Sequence, residues 1–443
     1  MSYFKALFLL FFLSLFCSLA IAKESSSLIR LTLADSLRIG GAQNPAIVMA
    51  DERVKQALER LNQARAPLFP QVSGGAAETR QTRNLSTVGL PSTANASPVV
   101  GPFNVFDARL KLTQTLFDVA TIKRLEAAAL GHQVSLAEEN KVKNDTLAVV
   151  ALLHIQAKRA ESLFQYSKSA LKLARDRFRL ANTHFKIGTG SEMDLKNAKA
   201  ALSDGRFRWR TAKTAALDSQ LDLKAALGMV EGQKIEILDE KLFSRNVLPT
   251  RSDILKSSAV TPEVKLAEKR LRQSEANVTA EKAEYLPRVS GTADYGASGD
   301  QPSQSKATYA YGLEISWALF EGGQRSARVA ESQSKSREIA TNFKDISNQQ
   351  GIKAIEAKES LKNSRNLLKA AADNLAARSR ERELTENRLK NGTASQFEVI
   401  DARFEEAKTK DGVEEAVATY RTAEVNLSHA LGHVEKMIVS ASG

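Results

Sequence analysis

The chain has 443 residues, with 63 lysines and arginines against 51 acids and a formal charge of +12 at pH 7. Leucine, alanine, lysine, arginine and glutamate dominate beside only 10 prolines and 6% aromatic residues, a balance that favours long helices over a compact mixed fold. Charges of both signs are interspersed, which argues against a nucleic-acid partner, and the scattered histidines form no HExxH, Walker or GxSxG pattern, so neither an enzyme nor a cofactor or metal site is expected.

Residues 1–22 read as a cleaved secretory signal. Lys5 supplies the positive region, residues 6–20 the apolar stretch, and Ala20-Ile21-Ala22 a small-x-small cleavage site. Cys17, the sole cysteine, lies inside it behind a bulky Phe16, which speaks against lipidation; the mature chain is expected to hold no thiol. No later run reaches the ~20 apolar residues of a membrane helix. Membrane entry would therefore have to be made by strands.

The remainder is written twice. Pro45 and Pro70 recur as Pro262 and Pro287 at an offset of 217 residues. "LTQTLFDVA" from Leu112 recurs as "ISWALFEGG" from Ile315 at 203, and "FKIGTGSEMDLKNA" from Phe185 recurs as "LKNGTASQFEVIDA" from Leu389 at 204. The change in offset falls in the loop-like "NLSTVGLPSTANASPVVGP", and loops absorb insertions at small cost. These anchors give a first structural repeat at 23–228, an equatorial linker at 229–261, a second repeat at 262–432 and a short tail at 433–443.

Each repeat opens with a helix of about 22 residues that starts at Asn-Pro or Thr-Pro and ends before the second proline, which can neither donate the helical hydrogen bond nor follow a helical residue easily. The period then changes to two, and β-hairpins are expected at about 71–117 and 288–320. In the second hairpin Tyr309, Tyr311, Leu313, Ile315, Trp317 and Leu319 alternate with small or polar residues, the pattern of a lipid-facing membrane strand. In the first, Phe106, Ala108, Leu110 and Leu112 alternate with Asp107, Arg109, Lys111 and Thr113; the strand after Pro70 gives the weakest signal. Proline-free helical patterns follow at about 120–181 and 326–390, each roughly 90–100 Å long. Leu171, Ala174, Phe178 and Ala181 keep the spacing of a coiled-coil seam, and a helix of about 35 residues follows each Gly-Thr turn. Four strands cannot close in lipid, so several chains must share one barrel: two copies would fill its interior, three would leave a lumen. The expected class is mainly α, a long tube of coiled-coil helices joined to a membrane β-barrel shared between chains.

Two duplicated halves, each helix–hairpin–long helix–Gly-Thr turn–helix, together with "YLPRVS" and "ISWALFEGGQR", resemble the TolC-type outer-membrane factor family over essentially the whole mature chain. The resemblance implies a homotrimer with a twelve-stranded outer-membrane barrel and a periplasmic α-barrel, the exit duct of a tripartite efflux pump or a type I secretion system. Its implied partners are outer-membrane lipid, a periplasmic adaptor protein and an inner-membrane pump of RND or ABC type. Adaptor contact is implied at Lys186, Ile187, Gly188 and Thr189, and at Lys390, Asn391, Gly392 and Thr393. An acidic ring at the entrance is implied at Glu398 and Asp401, although Ser395 to Glu398 also reads as a capping box, which Ser191 to Asp194 repeats. Archetypal members carry an arginine two residues after the second turn glycine; Ala394 stands there, leaving Arg388 or Lys390 as candidates to latch the tip. The basic net charge leaves ion selectivity open. The competing reading is a periplasmic coiled-coil adaptor or scaffold protein of an export complex, which would carry one helical hairpin and no aromatic alternation. His154 reads as a packed histidine of the long helix, and His429 and His433, without a third ligand, as surface residues.

Overall fold

The computed structural model describes residues 28–88, 98–230, 233–238 and 249–437. The first half runs β1 (Leu28–Leu31), α1 (Leu33–Gln43), α2 (Pro45–Arg65), β2 (Gln71–Asn84), β3 (Val99–Phe117), α3 (Val119–Lys186) and α4 (Glu192–Ala226). The second runs β4 (Lys234–Ile237), α5 (Arg251–Ser258), α6 (Pro262–Ala283), β5 (Arg288–Gly299), β6 (Lys306–Ser316), α7 (Gln324–Lys390) and α8 (Gln396–Ala430). The signal segment 1–22 lies outside the described residues, as does part of the inserted loop.

Asn44 caps α2 by accepting from the Ala46 N–H at 2.8 Å, and Thr261 caps α6 by accepting from Val264, with a proline at the first helical position of each. Both hairpins form, and the weak strand after Pro70 is a full 14-residue strand. The strand signal overran at one end. β6 stops at Ser316, so Trp317 and Leu319 stand in the segment leading to α7, where the Trp317 indole donates to the Tyr285 carbonyl at 3.0 Å. The alternation outlasts the ladder that defines the strand.

The long helices hold 68 and 67 residues, roughly 100 Å each. α4 lies against α3 through Ala198, Leu202, Ala212, Ala216, Ser219 and Leu223 in an alternating four–three rhythm, and a Cβ added at Gly205 would come within 3.6 Å of Leu171. Small side chains let the two axes approach. α3 touches α2 and α6 along its strand-proximal part and α4 and α8 toward the turn, whereas α7 packs mainly on α5, α6 and α8. The lateral order is therefore α4–α3–α8–α7 near the turns and α2–α3–α6–α7 near the sheet. The strands repeat it as β2–β3–β5–β6, every pair antiparallel.

The 229–261 linker is more than a connection. β4 pairs in parallel with β1, and α5 mirrors α1: each helix starts with a threonine capping box, Thr32 with Asp35 and Thr250 with Asp253. The duplication thus extends upstream of the proline anchors. The main core sits at this waist, where Leu31, Leu37, Leu147, Val150, Leu223, Leu227 and Val425 are buried together with Val434 from the start of the expected tail. His154 is buried there too, its Nδ1 2.9 Å from Ser36 Oγ, so α1 is fastened to α3. Burial pushes its pKa down to about 4, helped by Lys158 and Arg421 and opposed by Asp35. His429 is not an idle surface residue: its Nε2 lies 2.7 Å from Asp145 on α3.

Candidate functional site: sheet faces and helical turns

The ladder decides which strand residues share a face. Ile315 stands opposite Val289, Leu313 opposite Gly291, Tyr311 opposite Ala293, and Tyr309 opposite Tyr295. Tyr295 in turn faces Leu110, Ala293 faces Leu112, and those two face Gly74 and Val72. All four strands therefore give their apolar alternates to one side, and Tyr309 and Tyr311 stack along it at 6.5 Å. The other side carries Asp107, Arg109, Lys111, Thr292, Asp294 and Glu314. There Arg109 donates to Asp107 at 2.6 and 2.7 Å and to Asp294 at 2.8 Å, tying the two hairpins across the β3–β5 pair. Tyr309, Tyr311, Leu313 and Ile315 are all exposed, a contiguous apolar surface that water does not favour.

At the far end, α3 and α7 finish in matching left-handed turns. Gly188 has φ +79° and Gly392 φ +73°, and the following threonines donate their N–H groups to the carbonyls of His184 and Arg388, both at 2.9 Å. Lys186, Ile187, Thr189, Lys390, Asn391 and Thr393 surround the glycines, and a Cβ added at either glycine would meet nothing within 4 Å. The backbone geometry requires glycine; the space beyond it is open.

Both candidate carboxylates are already engaged. Glu398 completes the capping box, accepting from the Ser395 N–H at 3.0 Å while Ser395 Oγ accepts from the Glu398 N–H at 3.2 Å. The Ser395 backbone bond holds its pKa below the usual carboxylate range, with Arg388 at 3.6 Å contributing less. The first-half box does not form, because Ser191 accepts from Met193 rather than from residue 194. Asp401 accepts from Arg177 Nη1 at 2.7 Å, joining the second helical hairpin to the first. Arg388 donates to the Thr393 carbonyl at 3.0 Å and so stays within its own turn. Besides Asp145–His429, the cross-hairpin ties that sequence reasoning missed include Arg177–Asp401, the His184–Phe397 ring contact, and Arg159 with Asp411 at 2.6 Å and Glu415 at 3.1 Å. Only the adjacency of α3 and α8 reveals them. A groove of about 620 Å³ runs above the turns between α3, α4 and α8, lined by Tyr166, Phe207, Phe404 and the Arg177–Asp401 pair.

A sheet with one apolar and one paired-charge face, continued by helices of roughly 100 Å, defines a membrane channel wall with a long helical extension. The family model described as outer membrane efflux protein matches residues 41–229 and 256–433, and the chain belongs to that family. It is 24% identical over 388 residues to the probable efflux pump outer membrane protein TtgC of Pseudomonas putida (83% of this chain, 76% of that one). It is 21% identical over 415 residues to the outer membrane protein TolC of Escherichia coli (88% and 80%). The fold matches the Campylobacter jejuni CmeC outer membrane channel with a TM-score of 0.78 at 18% identity, covering 93% of this chain and 89% of that one. The protein is an outer-membrane exit duct with a periplasmic helical domain.

Proposed function

We propose that three copies of this chain close into one duct that receives cargo from an inner-membrane pump through a periplasmic adaptor. The observation carrying this reading is the pair of open edges: among the described residues, β2 and β6 each have a neighbour on one side only, and α7 packs mainly on α6, α8 and α5. Lipid does not tolerate an unpaired strand edge, so β6 must meet β2 of another copy. Three copies bring about twelve strands, enough to leave a lumen where eight would fill it with side chains. The duct itself is passive and performs no catalysis; an RND or ABC pump supplies the energy and selects the cargo. Extraction from outer membranes should yield a heat-modifiable trimer, and a monomer that remains soluble after extraction without detergent would remove the proposal.

Adaptor docking is assigned to the two Gly-Thr turns. Replacing Gly188 and Gly392 together by leucine forces a side chain into the left-handed region at about 1–2 kcal/mol per site. That is tolerable for helices of this length and obstructive to a partner's close approach. Trimers should persist in the membrane while export of a pump substrate falls to background. Loss of the trimer itself would make these glycines structural.

The entrance ring takes a modified form. Asp401 is compensated by Arg177, so the two charges should be removable with opposite results. In planar-bilayer recordings Asp401→Asn, which frees a cation, should lower the cation-to-anion permeability ratio, and Arg177→Gln should raise it. Glu398→Gln should change little, because glutamine can still complete the cap. Shifts of the same sign for Asp401→Asn and Arg177→Gln would remove both residues from the conduction path.

A further inference from the structure

The chain contains one complete seam between its halves, where α3 meets α8 and α6, and two incomplete ones at its outer edges. The repeat converts the first into a template for the others. Near the turns a residue of α3 corresponds to the residue 204 later on α7, and a residue of α8 to the residue 204 earlier on α4. Leu147, Val150 and Ala157 of α3 and their counterparts Gly351, Ala354 and Leu361 of α7 are all buried, so the correspondence holds in three dimensions.

Applied to the outer edges, the same correspondence accounts for their unexplained apolar residues. Val425 of α8 is 0% exposed and its α4 counterpart Leu221 45%; Arg421 is 7% exposed and Leu217 57%. Phe397 and Asp411, both turned toward α3, correspond to Met193 and Phe207, which stand open. On the opposite edge, buried Ala148 corresponds to exposed Ile352, and half-buried Leu163 to exposed Leu367. On α2, Met49 is exposed where its α6 counterpart Leu266, 217 residues later, is buried. The exposed apolar side chains thus mark positions that the internal seam covers.

We infer that the seam between copies repeats the internal seam in register, but without the opposite-charge pairs that tie the internal one. Arg159 and Asp411 correspond to Asn363 and Phe207, so Asn363 and the neighbouring Leu367 of one copy meet Phe207 of the next. Arg177 and Asp401 correspond to Glu381 and Asn197. Around the closed wall, charge-tied seams inside chains alternate with seams between chains that lack these ion pairs and bring in the apolar Phe207 and Leu367. The occupant of each outer edge is a second copy of this chain, so the inference rests on the self-assembly proposed above but adds a register to it.

The test uses cysteine pairs, since the sole natural cysteine, Cys17, lies in the expected signal segment. Asn363→Cys with Phe207→Cys, treated in outer membranes with a short bismaleimide, should give covalent dimers and trimers. Asn363→Cys with Met193→Cys, placed on the same stripe of α4 but roughly 21 Å nearer the turn, should give none. A rescue measurement checks the chemistry. Phe207→Asp alone should lower the temperature at which the trimer dissociates, and adding Asn363→Arg, which rebuilds the internal pair, should restore it. Trimers that link through 193 and not 207, or through neither, overturn the register while leaving self-assembly intact. Failure to find any oligomer in the membrane overturns self-assembly and the register with it.

Discussion

Arginine in place of Leu313 is expected to cost roughly 2–4 kcal/mol per chain, enough to empty the outer membrane of assembled protein. Leu313 belongs to the side of the sheet that also carries Tyr309, Tyr311, Ile315, Leu110 and Leu112, and it is exposed in the single chain. Gly291 opposite it offers no side chain that could shelter a guanidinium, so the charge would face hydrocarbon. Thr292→Arg is the matched control. Thr292 follows Gly291 on β5, at nearly the same depth, but points to the side that holds Asp294 and Glu314. Its arginine would face water and acids and should leave assembly near the parent level. The measurement is the yield of heat-modifiable trimer in outer membranes. Equal tolerance of the two arginines would show that the side assigned to lipid does not meet it.

The second large effect is acid loss of stability at the waist. His154 is held neutral by burial, with a folded pKa of about 4 against about 6.5 for a free histidine. Above pH 6.5 both folded and unfolded chains carry it neutral and nothing is lost. As pH falls from 6.5 toward 4 the unfolded chain takes up a proton that the folded chain refuses, and stability drops by about 3 kcal/mol per chain. Asp35, Asp145 and Glu398, whose pKa values are lowered in the fold, lose their contribution only as pH falls through the ordinary carboxylate range and below, at the acid end of the histidine window. His154→Gln keeps a hydrogen-bonding group for Ser36 and removes the titration. Denaturation midpoints of the detergent-solubilised protein should fall between pH 6.5 and 4 in the parent and stay level in the variant. A parallel fall in both would assign the acid sensitivity elsewhere.

The legible parts of this molecule are those where one residue type enforces one backbone event. Pro45, Pro70, Pro262 and Pro287 start and stop helices by removing a hydrogen bond, and the alternation around Leu313 can be satisfied only by a strand with two unlike faces. The alternation through Trp317 and Leu319 misled because side-chain periodicity continues after the ladder has ended. β1 and β4 escaped notice because four residues are too few to show a period, and their partner lies about 200 residues away. The role of Asp401 was half visible. Its position on one face of α8 follows from helical spacing, but Arg177 belongs to another helix, and nothing local says that α3 runs beside α8. Ser191 failed to repeat the capping box of Ser395 although the two stretches read alike, because its oxygen accepts from Met193 one position earlier.

The parallel β1–β4 pair has a consequence for the order of events during synthesis. Leu28 must wait for Lys234 before it has a backbone partner, and the edge of β3 that β2 leaves free must wait for β5. Closing such long loops is slow, and until it happens the first half presents an unpaired strand edge and an uncovered face of α3. Although the gene wrote the module twice, the first copy cannot mature ahead of the second: the open edge of β3 and the bare side of α3 are covered only by elements that the second copy supplies.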